Sequence, residues 1–226
     1  FLCVYSLHHV DILVLQSFVE RSETGYYKAG LALLEFLWFA PVAIHAVFIH
    51  STSELWSKGE VGKIEELSQV ATRYNLLFTL LPVIGLASLA DIFVPIYFGK
   101  EFSPTIIPLL LLLPGAVGFA GYGSMAFFHV YSARKIGFDP IGDLRFLKIT
   151  LTVVGSLPVV FGLPMLLNNH IISLLIVPPI TAIVYLLLAL RTGAIEIDEV
   201  EDVIGSCPQP IRRYGGKLTQ LAKLYF

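Results

Sequence analysis

Residues 74–99 read YNLLFTLLPVIGLASLADIFVPIYFG, and Asp91 is the only Asp, Glu, Lys or Arg in this run. Arg73 precedes the run and Lys100 follows it. A helix crosses the hydrocarbon core of a bilayer, about 30 Å thick, with about 20 predominantly apolar residues. The run therefore predicts a transmembrane helix over residues 75–98, with a basic residue near each end.

The composition of the whole chain agrees with a membrane location. Of its 226 residues, 56% are hydrophobic and 14% are charged, and the mean hydropathy is +0.77. An ordinary soluble domain has about 45–50% apolar and about 25% charged residues, so the sequence predicts a membrane protein. The net charge of −2 argues against a nucleic-acid partner. Cys3 and Cys207 lie at opposite ends of the chain, which argues against a disulfide framework.

Six apolar stretches have about the length of a transmembrane helix. Only residues 167–170 separate the last two, which is enough for a turn and for nothing longer. We therefore predict an antiparallel helical hairpin over residues 149–190. The predicted fold is all-α, a polytopic membrane bundle of about six transmembrane helices. The predicted spans are residues 1–19, 29–50, 75–98, 105–131, 149–167 and 171–190.

The positions of Lys and Arg predict the orientation, because cytoplasmic loops carry the excess of these residues. With six spans, twelve of the fifteen basic residues fall on one side, and only Arg21, Lys28 and Lys100 fall on the other. The twelve are Lys58, Lys63, Arg73, Arg134, Lys135, Arg145, Lys148, Arg191, Arg212, Arg213, Lys217 and Lys223. The sequence therefore predicts a multi-pass protein of the cell membrane with both termini in the cytoplasm.

Two polar segments lie outside the predicted spans. Within about residues 53–73, Leu55, Ile64 and Leu67 recur near helical spacing among charged residues, which predicts an amphipathic cytoplasmic helix on the bilayer surface. Residues 191–226 contain an acidic block, a break at Pro208 and Pro210, and a basic end. We interpret them as a cytoplasmic tail that follows a bundle of residues 1–190.

Several features occur in a suggestive order. Asp11 lies in the first span, Gly25 and Tyr27 lie in the following loop, and Pro41 lies in the second span. FGKEFSP at residues 98–104 comes before the span that contains LLLLLPGAVGFAGYG. In this order, over roughly residues 8–190, the chain resembles the polysaccharide-transporter branch of the MATE-like multidrug/oligosaccharidyl-lipid/polysaccharide flippase superfamily.

The resemblance implies a flippase that moves a lipid-linked oligosaccharide or polysaccharide precursor across the cytoplasmic membrane. Its implied partners are that lipid-linked glycan and the membrane lipids. Members of the superfamily usually have twelve or fourteen spans in two similar halves, so six spans correspond to a C-terminal half. The chain begins at Phe1, without Met and inside a predicted span, and we expect the missing N-terminal half as a further partner. A truncated gene and a processed complete protein are the alternatives.

Four ionisable residues are candidates for a transport cavity. A carboxylate near the bilayer centre costs about 2.5–3.5 kcal/mol on insertion scales, so Asp11 is expected to face the bundle interior or a wet cavity. His8, three positions earlier, lies on the same helix face. Glu35 and Asp91 are predicted in the outer thirds of the second and third spans. In such a cavity these residues could bind a coupling cation, relay protons or contact sugar hydroxyls.

An enzyme is not expected, because the sequence has no Gly-x-Ser-x-Gly, His-Glu-x-x-His or Asp-x-Asp motif. No metal or other cofactor is predicted, since the adjacent His8 and His9 diverge on a helix. A drug or cation antiporter of the same superfamily and a truncated half that does not transport remain as alternatives.

Overall fold

The computed structural model describes residues 10–37, 39–122, 145–167 and 169–200. These residues form helices joined by turns and contain no strand, which confirms the predicted all-α membrane helix bundle. The helices are α1 (residues 10–16), α2 (Arg21–Leu37), α3 (Phe39–Ser57), α4 (Val61–Tyr97), a 3₁₀ helix (Lys100–Thr105), α5 (Ile106–Tyr122), α6 (Phe146–Leu166) and α7 (His170–Thr192), and residues 197–200 are also helical.

In the described part of the chain, four segments are long and apolar enough to cross a membrane. They are Val61–Tyr97, Lys100–Val117, Phe146–Leu166 and His170–Thr192. These four correspond to the last four predicted spans. The predicted end of the fourth span, at residue 131, and most of the first span lie outside the described residues, so the total of six stays a prediction.

Residues 29–50, the second predicted span, fall on α2 and α3, and neither helix is among the four segments long and apolar enough to cross a membrane. Helix α2 already begins at Arg21, and α3 continues to Ser57. The loop expected around Gly25 and Tyr27 is therefore helical. Its polar residues suit a helix start, because Glu23 lies in the first turn, where a carboxylate interacts favourably with the positive end of the helix dipole.

Helix α4 corrects the prediction of a separate amphipathic helix over residues 53–73. It runs without a break for 37 residues, which is about 55 Å at 1.5 Å per residue. The turn before it falls at residues 58–60, where Gly59 has a φ of 73°. No Gly or Pro occurs between Lys63 and Leu81 to interrupt the helix. A continuous helix cannot lie on the bilayer surface and also cross the bilayer.

Residues 1–144 and 145–226 form two compact units. In the first, α2, α4 and α5 pack around Leu34, Val94 and Leu109, which are 3%, 0% and 0% exposed. Helix α2 comes close to α5 at Gly30, where a Cβ atom would lie 3.5 Å from the Cα of Leu109. Small residues at such positions let membrane helices pack backbone to backbone.

This close approach gives a graded prediction for Gly30. We expect Gly30→Ala to be tolerated, because 3.5 Å is an ordinary van der Waals distance, and Gly30→Leu to destabilise the protein by about 2 kcal/mol through overpacking. Denaturant unfolding in detergent measures both. Gly25→Leu is the matched control, because a Cβ atom there meets nothing within 4 Å. Equal stability of the two Leu variants would contradict the assigned packing.

The second unit contains the predicted hairpin of α6 and α7. Asn169 is the N-cap of α7, and its Oδ1 accepts hydrogen bonds from the backbone N–H groups of Ile171 at 3.0 Å and Ile172 at 3.4 Å. A side-chain acceptor of this kind satisfies the free N–H groups of a helix start. Thr152 of α6 and Thr192 of α7 lie with their hydroxyl oxygens 2.8 Å apart.

The sequence predicted a tail over residues 191–226, but the structure includes the first part of this segment in the hairpin unit. Ala194 and Ile195 are buried. Arg145, which precedes α6, holds this segment with a bond from Nη2 to Glu196 Oε1 at 2.6 Å and one from Nη1 to the Gly193 carbonyl at 2.9 Å. The first part of the predicted tail therefore belongs to the hairpin unit, and residues 201–226 lie outside the described residues.

Candidate functional site

An open groove lies between α1 and α2, with a volume of about 440 Å³. On α2 its lining residues recur at helical spacing, from Lys28 through Leu31 and Ala32 to Glu35, which places them on one helix face. Ile12, Leu13 and Gln16 line the groove from α1. The groove therefore combines apolar walls with one cationic, one anionic and one amide side chain.

A hydrogen bond joins the two walls of this groove. The Tyr27 hydroxyl donates to Asp11 Oδ2 at a distance of 2.6 Å. Each partner is next to a lining residue, Ile12 on α1 and Lys28 on α2, so the bond ties the walls together. Burial, reinforced by the bonded carboxylate, raises the pKa of Tyr27 to about 12. The phenol therefore remains a hydrogen-bond donor at physiological pH.

A second hollow adjoins the first on the α3 side. It has a volume of about 510 Å³ and is lined by Ala32, Glu35, Phe36, Phe39 and Val42. The Glu35 carboxylate takes part in both hollows. The second hollow is also lined by two exposed phenylalanines, which is a different chemical setting from the groove with Lys28.

The predicted cavity residues lie in different surroundings in the structure. Asp11 is exposed rather than inside the bundle, and Tyr27 supplies the compensating partner. Glu35 is exposed and lines the groove, whereas Asp91 is exposed on α4 and lines neither hollow. His8 lies outside the described residues. Of the described candidates, Glu35 lines the groove, Asp11 is the sequence neighbour of a lining residue, and Asp91 lines neither hollow.

The sequence interpretation missed the groove residues Gln16 and Lys28 and the role of Tyr27. The sequence interpretation used Lys28 only as a basic loop residue and Tyr27 only as part of the family resemblance. The available signal was the helical spacing from Lys28 to Glu35, which becomes visible once the helix is started at Arg21. Among the described residues, no group of three or more His, Cys, Asp or Glu side chains is placed to hold a metal ion.

Comparison with known proteins gives a distant similarity. The chain is 27% identical over 124 residues to the uncharacterized membrane protein EpsK of Bacillus subtilis. The match covers 55% of this chain and 24% of EpsK, so the chain spans about a quarter of that relative's length. No family model and no solved structure matches the chain. The similarity agrees with the apolar helices in indicating a membrane protein.

Proposed function

We propose that the chain is part of a membrane transporter that moves lipid-linked oligosaccharide or polysaccharide precursors across the cell membrane. The groove between α1 and α2 carries this proposal. Its apolar walls suit a lipid chain, the Lys28 ammonium suits a phosphate, and Gln16 and Glu35 offer hydrogen-bonding groups for sugar hydroxyls. A volume of about 440 Å³ suits a headgroup, since ligand sites are typically about 300–1,000 Å³.

A drug or cation antiporter is the second candidate, and one observation favours it. Glu35 lines the second hollow together with Phe36 and Phe39. A carboxylate with aromatic rings is the combination that binds an apolar cation, through charge and cation–π attraction. The two candidates differ in the effect of Lys28, because its ammonium group attracts a phosphate but repels a cationic substrate.

The experiment is a flipping assay with the full-length protein in liposomes, using a fluorescent lipid-linked oligosaccharide. We expect Lys28→Gln to lower the flipping rate about tenfold, because hydrogen bonds to charged groups contribute about 1.5–3 kcal/mol and 1.4 kcal/mol is tenfold in rate. Lys100→Gln is the matched control: it removes an exposed lysine that lines neither hollow. Its rate is expected to stay near that of the wild type.

A cationic dye in the same liposomes separates the two candidates. Dye transport that follows an ion gradient, is lost in Glu35→Gln and is unchanged in Lys28→Gln would favour the antiporter. Flipping that is equally fast in Lys28→Gln and Lys100→Gln would remove the groove from the proposed route.

A further inference from the structure

The continuous helix α4 carries its first turns well outside the bilayer. Its apolar part begins near Leu76, and Val61 is fifteen residues earlier, which is about 22 Å along the helix axis. A helix tilt of about 20° shortens this distance along the membrane normal only slightly. The headgroup layer adds roughly 5–8 Å on each side of the hydrocarbon core. The turn before Val61 therefore lies about 15 Å beyond the headgroups.

Helix α3 packs against α4 and ends at Ser57, so its last turn also lies beyond the headgroup layer. We call residues 54–66, the end of α3 with the start of α4, the α3–α4 tip. The exposed apolar side chains of this tip are Trp56, which is 64% exposed, and Val61, which is 41% exposed. Membrane-anchoring Trp residues lie at headgroup level, a level that the tip does not reach. The bilayer therefore does not explain the exposed indole.

The charge of the tip also argues against a lipid surface. Residues 54–66 contain four Glu and two Lys. The two lysines are held within the tip, with Lys58 Nζ 2.6 Å from Glu54 Oε1 and Lys63 Nζ 2.8 Å from Glu60 Oε2. The net negative charge is repelled by the anionic lipids of a cytoplasmic leaflet. It favours a partner with a basic surface.

We propose that the α3–α4 tip is the docking site for a protein whose basic surface surrounds an apolar pocket that receives Trp56. Tryptophan is enriched among the residues that contribute most to protein–protein binding, and it does so when it fills a desolvated pocket. By the predicted orientation the partner is cytoplasmic. This inference is independent of the transported substrate.

The test measures protection of a single cysteine at Ser57, which is exposed beside Trp56. Ser57→Cys is introduced into the full-length protein with its other cysteines replaced by Ser. The protein is expressed in the source cell, and everted membrane vesicles are labelled with a membrane-impermeant maleimide before and after a high-salt wash. We expect labelling at least about fivefold slower before the wash than after it. Adding Trp56→Ala or Glu66→Lys should give fast labelling in both samples.

Each other outcome overturns the proposal. Equally fast labelling before and after the wash would mean that nothing occupies the tip. Slow labelling of the purified protein in liposomes with anionic lipid would mean that the membrane or the chain's own basic tail covers the tip, and not a partner protein. Protection that persists in both variants would exclude Trp56 and the acidic charge as the recognised features. Trp56 and Glu66 are exposed, so neither change is expected to disturb folding.

Discussion

Under the proposed transport function, glycan export is expected to fall about tenfold in Asp11→Asn, with expression and membrane insertion near normal. Asp11 accepts the hydrogen bond from Tyr27 that joins α1 to α2, and an ionised acceptor makes this bond about twice as strong as a neutral one. Losing the charge loosens one wall of the groove while the shape of the side chain stays the same. Quantified surface glycan, in a strain with no alternative flippase, measures the effect.

Two further variants separate this structural role from a role of Asp11 in ion coupling. Tyr27→Phe removes only the donor, so a fall in export equal to that of Asp11→Asn indicates that the bond matters. Asp91→Asn is the control, because Asp91 is exposed and lines neither hollow, and its effect should be milder. Normal export in Tyr27→Phe beside a severe loss in Asp11→Asn would contradict the bond and favour the charge.

The second large effect is expected at Arg145. Its guanidinium bonds both Glu196 and the Gly193 carbonyl, so Arg145→Ala is expected to destabilise the hairpin unit by about 2 kcal/mol. Most of this loss comes from the carbonyl bond, because Glu196 is about half exposed and exposed ion pairs contribute little. Denaturant unfolding in detergent measures the change.

The backbone of Arg145 allows a sharper comparison. Its φ of 49° is in the left-handed region, where a non-glycine residue costs about 1 kcal/mol or more. Arg145→Gly is therefore expected to be about 1 kcal/mol more stable than Arg145→Ala, although both lose the guanidinium. Arg191→Ala removes an exposed arginine from the last turn of α7 and serves as control. An Arg145→Ala variant as stable as this control would contradict the role of the guanidinium.

The hairpin and the span that ends at Tyr97 could be predicted from the sequence because their signals are local. Apolar length determines a membrane-crossing helix, and the few residues between α6 and α7 leave room only for a turn. The predicted boundaries differ from those of α6 and α7 by at most three residues. Both signals come from residues within the helix or the turn itself, so the prediction needs no information about neighbouring helices.

The start of α4 could not be found in this way. The change from polar to apolar residues at Arg73 was interpreted as a boundary between two helices, but polarity does not break a helix when no Gly or Pro intervenes. Arg73 itself was counted as a loop charge, whereas the structure buries it completely, with its guanidinium 5.7 Å from the centre of the Tyr74 ring. Hydropathy indicates whether a helical segment lies in lipid or in water. It does not indicate where the helix begins or ends.

The partner of Asp11 was likewise beyond a local pattern. The cost of a carboxylate in an apolar run predicted that Asp11 needs a compensating environment. Tyr27 is sixteen residues away, on a helix whose start had been assigned to a loop. The choice between a cavity, a nearby His8 and a hydroxyl donor depends on how α1 and α2 pack. Periodicity within either helix does not specify that packing.

Site-specific photocrosslinking tests most directly the proposed binding of a lipid-linked glycan in the groove between α1 and α2. A photoreactive amino acid is placed at Ala32, which lines the groove, and separately at Ile183, which is 59% exposed on α7. We predict that only the Ala32 position captures a labelled lipid-linked oligosaccharide and that excess unlabelled compound prevents capture. Equal capture at both positions, or capture that excess compound does not reduce, would contradict the claim.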